Sequence, residues 1–281
     1  MPSLQHLPLR SMRSVLLCLP AALIFPACDG VQNFDTPAPP VSAGDPSLAI
    51  DFEAGMEWTY AWTDEQYAVP VGGTAADSLL SREAFDLTAR VASVDAEIEG
   101  VSGLIRIDVS GDGRCRVDWY RVEEGYLRHV AATANTERGY VPPVITTYRS
   151  MAVEGDVCGA EPQRGYLFSQ ARPIYPMPAY RGIEWEWTLW EHEADTLAAE
   201  LSVESFGSFT GAAGTFFTAD IARRYSSEEE ETGVSQRMEA HDYISTDGLV
   251  LREDVWTGAP AWEGARARAV RRLEMLSVRR P

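Results

Sequence analysis

Histidines that stand next to carboxylates are the residues of this chain whose types and spacing suit acid–base or metal chemistry. His192 lies between Glu191 and Glu193, and His241 is followed by Asp242. Successive side chains of a strand point to opposite faces, so in a strand the side chains of neither group meet at one point. In a turn, His192 and its two flanking glutamates could bind one metal ion. We expect solvated charges at a strand end in the first place, and we give the second little weight as an acid–base pair. A hydrolase that uses His192 or His241 with nearby carboxylates stays open as the alternative function.

The motifs of several common chemistries are absent from the sequence. All 24 basic residues are arginines, which excludes a Walker A loop, a lysine Schiff base and a Ser-Lys dyad. There is no Gly-x-Ser-x-Gly elbow, no His-Glu-x-x-His, no Cys-x-x-Cys and no dinucleotide fingerprint. Four successive glutamates at 228–231 indicate a hydrated hairpin tip rather than a cation site. We expect no catalytic residues, no metal, no cofactor and no enzymatic activity.

Tryptophans crowd two places in the chain. Trp58 and Trp62 form the first group, and Trp185, Trp187 and Trp190 form the second. Core packing accounts for most such rings, because a tryptophan buries a large apolar area. The functional alternative is a concave aromatic floor on which the five rings face an apolar ligand.

The N-terminal segment has the layout of an export signal. Arg10 and Arg13 give a basic start without acidic residues, and an apolar run of 11 residues follows at 15–25. This run is too short to span a bilayer, which takes roughly 20 apolar residues. The sequence Phe-Pro-Ala-Cys at 25–28 then resembles the lipobox of bacterial lipoproteins, in which an apolar residue and a small residue precede a cysteine.

The resemblance to lipoproteins implies a signal peptide over 1–27, lipidation of Cys28, export, and an anchor in the bacterial cell envelope. Residues 28–48 hold four prolines and indicate a disordered tether. The stretch 29–47 of this tether reaches up to roughly 55–60 Å at about 3.1 Å per residue. Asp29 resembles the signal that retains lipoproteins in the inner membrane of enteric bacteria, and the choice between inner and outer membrane stays open.

The net charge of the chain is strongly negative. It is −18 for the whole chain and becomes −20 without residues 1–27, which hold two arginines and no acidic residue. A surface this acidic repels phosphate backbones, so we expect no nucleic acid among the partners. Six arginines lie beyond Gly264, and we expect them to pair with this protein's own carboxylates.

Two of the four cysteines stand apart from the N-terminal segment. Cys115 and Cys158 are 43 residues apart, and an exported, oxidising location favours a disulfide between them, with two free buried thiols as the alternative. Closing a loop of that length stabilises a fold by about 4 kcal/mol if the gain is one of chain entropy.

A weak internal repeat divides the rest of the chain. The sequence GMEWTY at 55–60 matches GIEWEW at 182–187, and a second pair of matches lies further along each half. We interpret the halves as two β modules, 49–172 and 173–281, that arose from one duplication. Chance similarity between aromatic-rich strands is the alternative.

The local patterns are those of strands. Residues 86–91 and 215–225 alternate apolar and polar side chains, and turn signals such as Thr246-Asp247-Gly248 separate successive strands. Sequential hairpins favour an all-β fold of antiparallel meander sheets, in an open half-barrel or a sandwich. Few short helices are expected. The segments 75–85 and 264–278 are the best candidates, although the second suits a final strand equally well.

The second half resembles exported bacterial β-sheet lipoproteins. It shares with them Gly-x-x-Trp-x-aromatic at 182–187, Ala-Gly-Thr-Phe at 213–216 and Gly-Leu-Val at 248–250. Some members of this class look like the open half-barrels of lipoprotein-carrier proteins. The resemblance implies a curved sheet with an apolar concave face, and it transfers no catalytic motif.

The sequence therefore predicts a membrane-anchored extracytoplasmic lipoprotein with a non-catalytic binding or envelope-scaffold role. The expected partners are the membrane, through the lipid on Cys28, and an apolar small molecule or an envelope protein. Cradling of an apolar ligand on the concave face belongs to this prediction.

Overall fold

The computed structural model describes residues 46–69, 77–112, 114–133, 166–192, 195–229, 234–260 and 266–281, all within one compact unit. In these ranges the chain forms strands and no helix, so the all-β prediction is confirmed. The strands are, in chain order, β1 (Ser47–Leu48), β2 (Glu57–Val69), β3 (Ser78–Ile98), β4 (Val101–Gly111), β5 (Arg114–Glu123), β6 (Tyr126–Ala132), β7 (Tyr166–Pro176), β8 (Ala179–Tyr180), β9 (Glu184–His192), β10 (Asp195–Gly211), β11 (Gly214–Glu229), β12 (Val234–Ser245), β13 (Gly248–Pro260) and β14 (Arg266–Arg279). The described part of the chain contains no helix of the length and apolarity needed to cross a membrane.

Twelve of the strands form one antiparallel sheet in the order β7-β6-β5-β4-β3-β2-β14-β13-β12-β11-β10-β9. The strands β2 to β7 and β9 to β14 are thus two six-stranded meanders, and pairing of β2 with β14 joins them in the middle of the sheet. The strands β1 and β8 form a small sheet of their own. Within each meander, strands that follow one another in sequence pair directly, which is the connectivity that sequential hairpins predict.

The apolar alternation of the sequence places one face of each strand in the core. In β2, Trp58, Tyr60 and Trp62 are buried, while the residues between them are half-buried. Tight turns hold the hairpins in register. Glu124 and Gly125 join β5 to β6 with φ of 50° and 75°, the left-handed values that a two-residue type I′ turn requires.

The sheet curls, so that side chains from its two ends meet in one core. The Trp58 indole N–H donates to the Asp247 carbonyl at 2.5 Å, which ties β2 to the turn between β12 and β13. The rings of Tyr126 on β6 and Trp185 on β9 lie 6.1 Å apart, although these strands are near opposite ends of the strand order. The principal core cluster accordingly contains residues of both meanders. We call the side of the sheet that faces this core the inner face, and the other side the outer face.

The two meanders begin with the same backbone bonding. In the first meander the Gly55 N–H donates to the Val91 carbonyl, and the Val91 N–H donates to the Met56 carbonyl, both at 2.8 Å. In the second meander the Gly182 N–H donates to the Val203 carbonyl, and the Val203 N–H donates to the Ile183 carbonyl, both at 2.9 Å. Both valines stand directly before a register shift. The division into modules stays a prediction, and its boundary after residue 172 falls within β7.

Some expectations about local structure need correction. The short-helix candidate at 75–85 is wrong from Ser78 onward, because these residues belong to β3. Their leucine, arginine, glutamate and alanine content suits a helix, but antiparallel pairing with β2 decides the structure. The segment 264–278 forms the final strand from residue 266, one of its two expected outcomes. β11 extends to Glu229, so the first two of the four successive glutamates belong to a strand rather than to a hairpin tip.

Arginines near the C-terminus pair with the protein's own carboxylates, as expected. The pairs are Arg268–Asp77, Arg271–Asp64, Arg272–Glu274, Arg279–Glu57 and Arg280–Asp247, with N–O distances of 3.0, 3.1, 3.2, 3.1 and 2.8 Å. Most of these side chains are partly exposed, where one such pair contributes about 0–1 kcal/mol to stability. The side chain of Arg266 lies outside the described residues.

Candidate functional site

The tryptophans predicted to face a ligand lie in the core wherever their side chains are described. Trp58, Trp62 and Trp185 are 2%, 6% and 8% exposed. Trp62 stacks on Phe85 with 4.6 Å between the ring centres. The side chains of the other two members of the set, Trp187 and Trp190, lie outside the described residues. The described rings therefore contact other protein groups, and their role toward a ligand stays a prediction.

His241 and Asp242 point to opposite faces of β12, which is what strand alternation predicts. The His241 side chain is 50% exposed on the outer face, where its Nδ1 lies 2.8 Å from Asp220 Oδ1. Its ring lies beside that of Tyr243, with 6.4 Å between the ring centres. A carboxylate on Nδ1 leaves Nε2 of a neutral ring unprotonated, as in a general base. Among the described residues, no serine, threonine or cysteine is bonded to His241. Asp242 is fully buried on the inner face.

Several other predicted site residues are described only in part. His192 ends β9 and pairs with Asp195 of β10, but its side chain lies outside the described residues. Cys115 is buried on β5, whereas Cys158 and Cys28 lie outside the described residues, so the disulfide and the lipidation stay predictions. In the described ranges, no group of three or more histidine, cysteine, aspartate or glutamate side chains is placed to hold a metal ion.

The structure brings charged side chains together inside the core, an arrangement that sequence reasoning missed. Asp242 accepts two bonds from Arg252, from Nε at 2.8 Å and from Nη2 at 2.7 Å, and one from Arg223 Nη2 at 3.0 Å. Arg223 also donates to Asp254 at 2.9 Å, and the Tyr175 hydroxyl donates to Asp242 at 2.7 Å. All five residues are buried, and we call them the Asp242 cluster.

The two arginines and two aspartates of the Asp242 cluster balance in charge. Burial alone would raise the pKa of Asp242, but the adjacent Arg223 and Arg252 charges and the hydrogen bonds outweigh it and lower that pKa to about 2. Burial and the Asp242 charge raise the pKa of Tyr175 well above its usual value, so its hydroxyl stays a neutral donor. Because Tyr175 belongs to the edge strand β7 and the other members to β11, β12 and β13, the cluster ties one end of the sheet to the opposite meander.

A second buried cluster lies on β5 and β6. Asp118 Oδ1 accepts from Arg116 Nε at 2.8 Å and from Nη2 at 2.5 Å, and it lies 2.9 Å from His129 Nε2. The His129 ring stacks on Tyr120 at 4.7 Å and meets Phe168 edge-on at 4.8 Å. Arg116 and Asp118 are 1% exposed and His129 is 0% exposed. We call these three charged or titratable residues the Asp118 cluster.

Burial decides the protonation of the Asp118 cluster. Burial lowers the pKa of His129 and outweighs the hydrogen bond and the charge of Asp118, which would raise it. The charges of Arg116 and Arg172 lower the pKa of His129 further. Burial alone would raise the pKa of Asp118, but the Arg116 charge and the His129 hydrogen bond outweigh it, and that pKa is lowered. His129 is therefore a neutral ring that donates Nε2–H to Asp118. Its Nδ1 has no hydrogen-bond partner among the described residues.

The two clusters occupy equivalent strands of the two meanders. Asp118 and Asp242 lie on β5 and β12, the fourth strand of each meander, and their basic partners His129 and Arg252 lie on the fifth. Asp242 and Arg252 are direct cross-strand neighbours on either side of the predicted turn at 246–248, but a register shift between Tyr243 and Ile244 means that counting outward from the turn would pair Asp242 with Leu251 instead. Side chains this deeply buried and bonded to one another stabilise the fold rather than meet a substrate in solvent.

Comparisons with known proteins give no family for this chain. No family model matches it, and no curated protein matches it. One similar solved structure, from Bacteroides fragilis, is named as an exported protein with a YmcC-like fold; it is 10% identical, with a TM-score of 0.35 over 84% of this chain and 100% of the other. Another, from Parabacteroides distasonis, is named as a lipoprotein; it is also 10% identical, with a TM-score of 0.37 over the same shares of 84% and 100%. Both TM-scores are too low to assign a fold family or a function to this chain.

Proposed function

We propose that this protein is an extracytoplasmic lipoprotein, anchored to a membrane through Cys28, with a non-catalytic binding or scaffold role. The observation that carries the proposal is the sequence at 25–28, where an apolar residue, a small residue and a cysteine end a basic and apolar leader. The described fold is compatible with it, because its described residues begin at 46, after the Pro-rich segment that the proposal places between anchor and fold.

The packing of the core favours a scaffold role over a cradle for an apolar ligand. Trp58, Trp62 and Trp185 pack within the principal core cluster, and a ligand on the inner face would have to displace them. An envelope protein that meets the outer face requires no such displacement. Native mass spectrometry of the protein purified from membranes separates the two roles. A mass without ligand supports the scaffold, and a co-purified apolar molecule supports the cradle.

The anchor is tested by metabolic labelling with a fatty acid and by cell fractionation. We expect wild-type protein to be labelled and to fractionate with membranes, and we expect the Cys28→Ala variant to lose the label. The matched control is Cys18→Ala, which changes a cysteine of the predicted signal peptide and leaves the label in place. Label that persists in Cys28→Ala would exclude the proposed anchor.

A hydrolase that uses His241 is the second candidate function, because the structure pairs this half-exposed ring with a carboxylate. His241 Nδ1 lies 2.8 Å from Asp220 Oδ1, the relation that orients a general base. A broad screen for hydrolytic activity, repeated on His241→Ala and Asp220→Asn, tests it. Loss of a detected activity in both variants supports the hydrolase, and an activity unchanged in both contradicts it. Asp108→Asn, which alters another partly exposed carboxylate, is the control.

A further inference from the structure

We propose that the tip of the hairpin formed by β10 and β11 docks on the lipid bilayer that carries the Cys28 anchor. The inference rests on the proposed function for the anchor and adds a second membrane contact to it. The tip comprises residues 205–219, SFGSFTGAAGTFFTA, which carry no charged side chain in a chain that is 23% charged. These residues include four of the nine phenylalanines of the protein. An uncharged segment of this composition is suited to an apolar environment.

The two faces of the hairpin tip have different surroundings. On one face Phe209 stacks on Tyr243 at 4.9 Å, and the Ala212 N–H donates to Glu274 Oε1 at 3.0 Å, so this face lies against the outer face of the sheet. On the opposite face Phe217 is 53% exposed, and its ring lies 6.0 Å from that of Phe206. Strand alternation and register place five residues on this face, which we call the Phe217 face: Phe206, Ser208, Thr210, Thr215 and Phe217. Phe206 is half-buried against the principal core cluster, and the other four are exposed.

Several polar groups of the hairpin tip are bonded within the hairpin. The backbone pairs in antiparallel register up to the last pair before the turn. The Thr210 and Thr215 hydroxyls lie 2.9 Å apart in a hydrogen bond, and the Thr218 hydroxyl donates to the Gly207 carbonyl at 3.2 Å. Hydrocarbon offers no hydrogen bonds, so a segment enters the apolar edge of a bilayer at low cost only when it has satisfied its own polar groups. β10 pairs with β9 only up to Ser202 and β11 pairs with β12 only from Ala219, so the outward backbone groups of the tip need water or lipid headgroups as partners. The contact we propose is therefore with the headgroup boundary and not with the hydrocarbon interior.

A bilayer of neutral lipids is the occupant that fits the Phe217 face. At a net charge of −18 the protein is repelled by anionic headgroups, so its contact with lipid must be apolar, and phenylalanine suits the boundary between headgroups and acyl chains. The stretch 29–47 of the predicted tether holds the fold within roughly 55–60 Å of the bilayer. Anchoring raises the effective concentration of the hairpin tip at the bilayer, so a contact that is weak for the free protein becomes populated.

Another exposed apolar position provides a matched control. Leu79 on β3 is also 53% exposed, but Asp77 and Arg82 flank it, so its surroundings are charged. The experiment uses full-length protein purified from membranes and reconstituted into phosphatidylcholine vesicles. A nitroxide is attached at position 217 through Phe217→Cys and, in a separate sample, at position 79 through Leu79→Cys. Relaxation by a water-soluble nickel complex and by oxygen then reports whether each label faces water or lipid.

We expect nickel access at position 217 to be several-fold lower than at position 79, and oxygen access to be higher. Ser208→Cys, on the same Phe217 face, gives the same result and serves if Phe217→Cys does not fold. Equal nickel access at 217 and 79 overturns the proposal. Mass analysis of Cys28 in the same samples separates the two claims. A shielded position 217 on an unacylated chain supports the docking and refutes the anchor, and an acylated chain with position 217 open to water does the reverse.

Discussion

Asp118 and His129, on neighbouring strands, share a hydrogen bond 2.9 Å long inside the core. Burial lowers the pKa of His129 below its ordinary 6.5, so the folded protein binds the imidazole proton more weakly than the unfolded chain does. As the pH falls below 6.5, the unfolded state takes up protons that the folded state does not, and stability falls. The pKa of Asp118 is lowered below 3.8, which adds a loss of stability in the same direction at lower pH.

We predict that the free energy of unfolding, measured by urea denaturation, decreases from about pH 7 to about pH 5 through this histidine. The His129→Gln variant is less stable throughout and loses the part of the slope that His129 causes. The matched control is His241→Gln, because His241 is half-exposed on the outer face, and it retains that slope. Equal slopes in wild type and His129→Gln would contradict the assignment.

We expect substitution of Asp242 to lower the free energy of unfolding far more than substitution of Asp108, although each of these aspartates pairs with an arginine. Asp242→Asn removes the carboxylate that Arg223 and Arg252 share, so the two buried arginine charges of the cluster face one remaining carboxylate, that of Asp254. We expect this variant to lower the free energy of unfolding by about 3–5 kcal/mol. Asp108→Asn breaks a pair with Arg106 that has the same kind of contact at 2.7 Å but is 42% and 43% exposed. We expect a change of about 0–1 kcal/mol there. Similar values for the two variants, in urea titrations, would refute the role given to the buried cluster.

The outcome at particular residues shows what the sequence could and could not predict. The strand at 86–91 is evident from alternation, because Leu87, Ala89 and Val91 are buried in the core and the residues between them are not. The candidate at 75–85 misleads, since its composition suits a helix and pairing with β2 makes its residues from Ser78 onward a strand. Asp118 and His129 escape prediction because a register shift lies between them and the turn that joins β5 to β6, and no local pattern encodes that shift. The pairing of Asp242 with Arg252 escapes prediction for the same reason, since a register shift also lies between these residues and the recognisable turn at 246–248.

The turn between β12 and β13 contains a glycine whose substitution we expect to lower stability. Gly248 has φ of 106°, and a Cβ added there would lie 2.9 Å from the Trp58 indole nitrogen, which itself bonds to the Asp247 carbonyl. We expect Gly248→Ala to lower the free energy of unfolding by roughly 2–4 kcal/mol, from backbone strain and the clash together. The control is Gly100→Ala, where φ is 83° and no atom lies within 4 Å of the added Cβ. Only the strain of about 1–2 kcal/mol is expected there. Equal losses would mean that the contact with Trp58 is unimportant.

The predicted disulfide between Cys115 and Cys158 determines whether these residues react with a thiol reagent. In the unreduced, denatured protein we expect Cys115 and Cys158 to be unreactive toward a thiol reagent, because an exported pair oxidises. Reduction should then release two thiols and lower the free energy of unfolding by about 4 kcal/mol, less any strain in the bridge. The Cys115→Ser variant leaves one partner unpaired, so it should show one additional thiol without reduction. Two reactive thiols in the unreduced wild type would exclude the bridge.

The lipid anchor is tested most directly by the mass of the N-terminal peptide of protein purified from cell membranes. We predict that the chain begins at Cys28 and that this peptide carries the added mass of lipid, because residues 25–28 resemble a lipobox. A peptide that begins at Cys28 without lipid, or one that contains residues before Cys28, would contradict the claim that this protein is a lipoprotein.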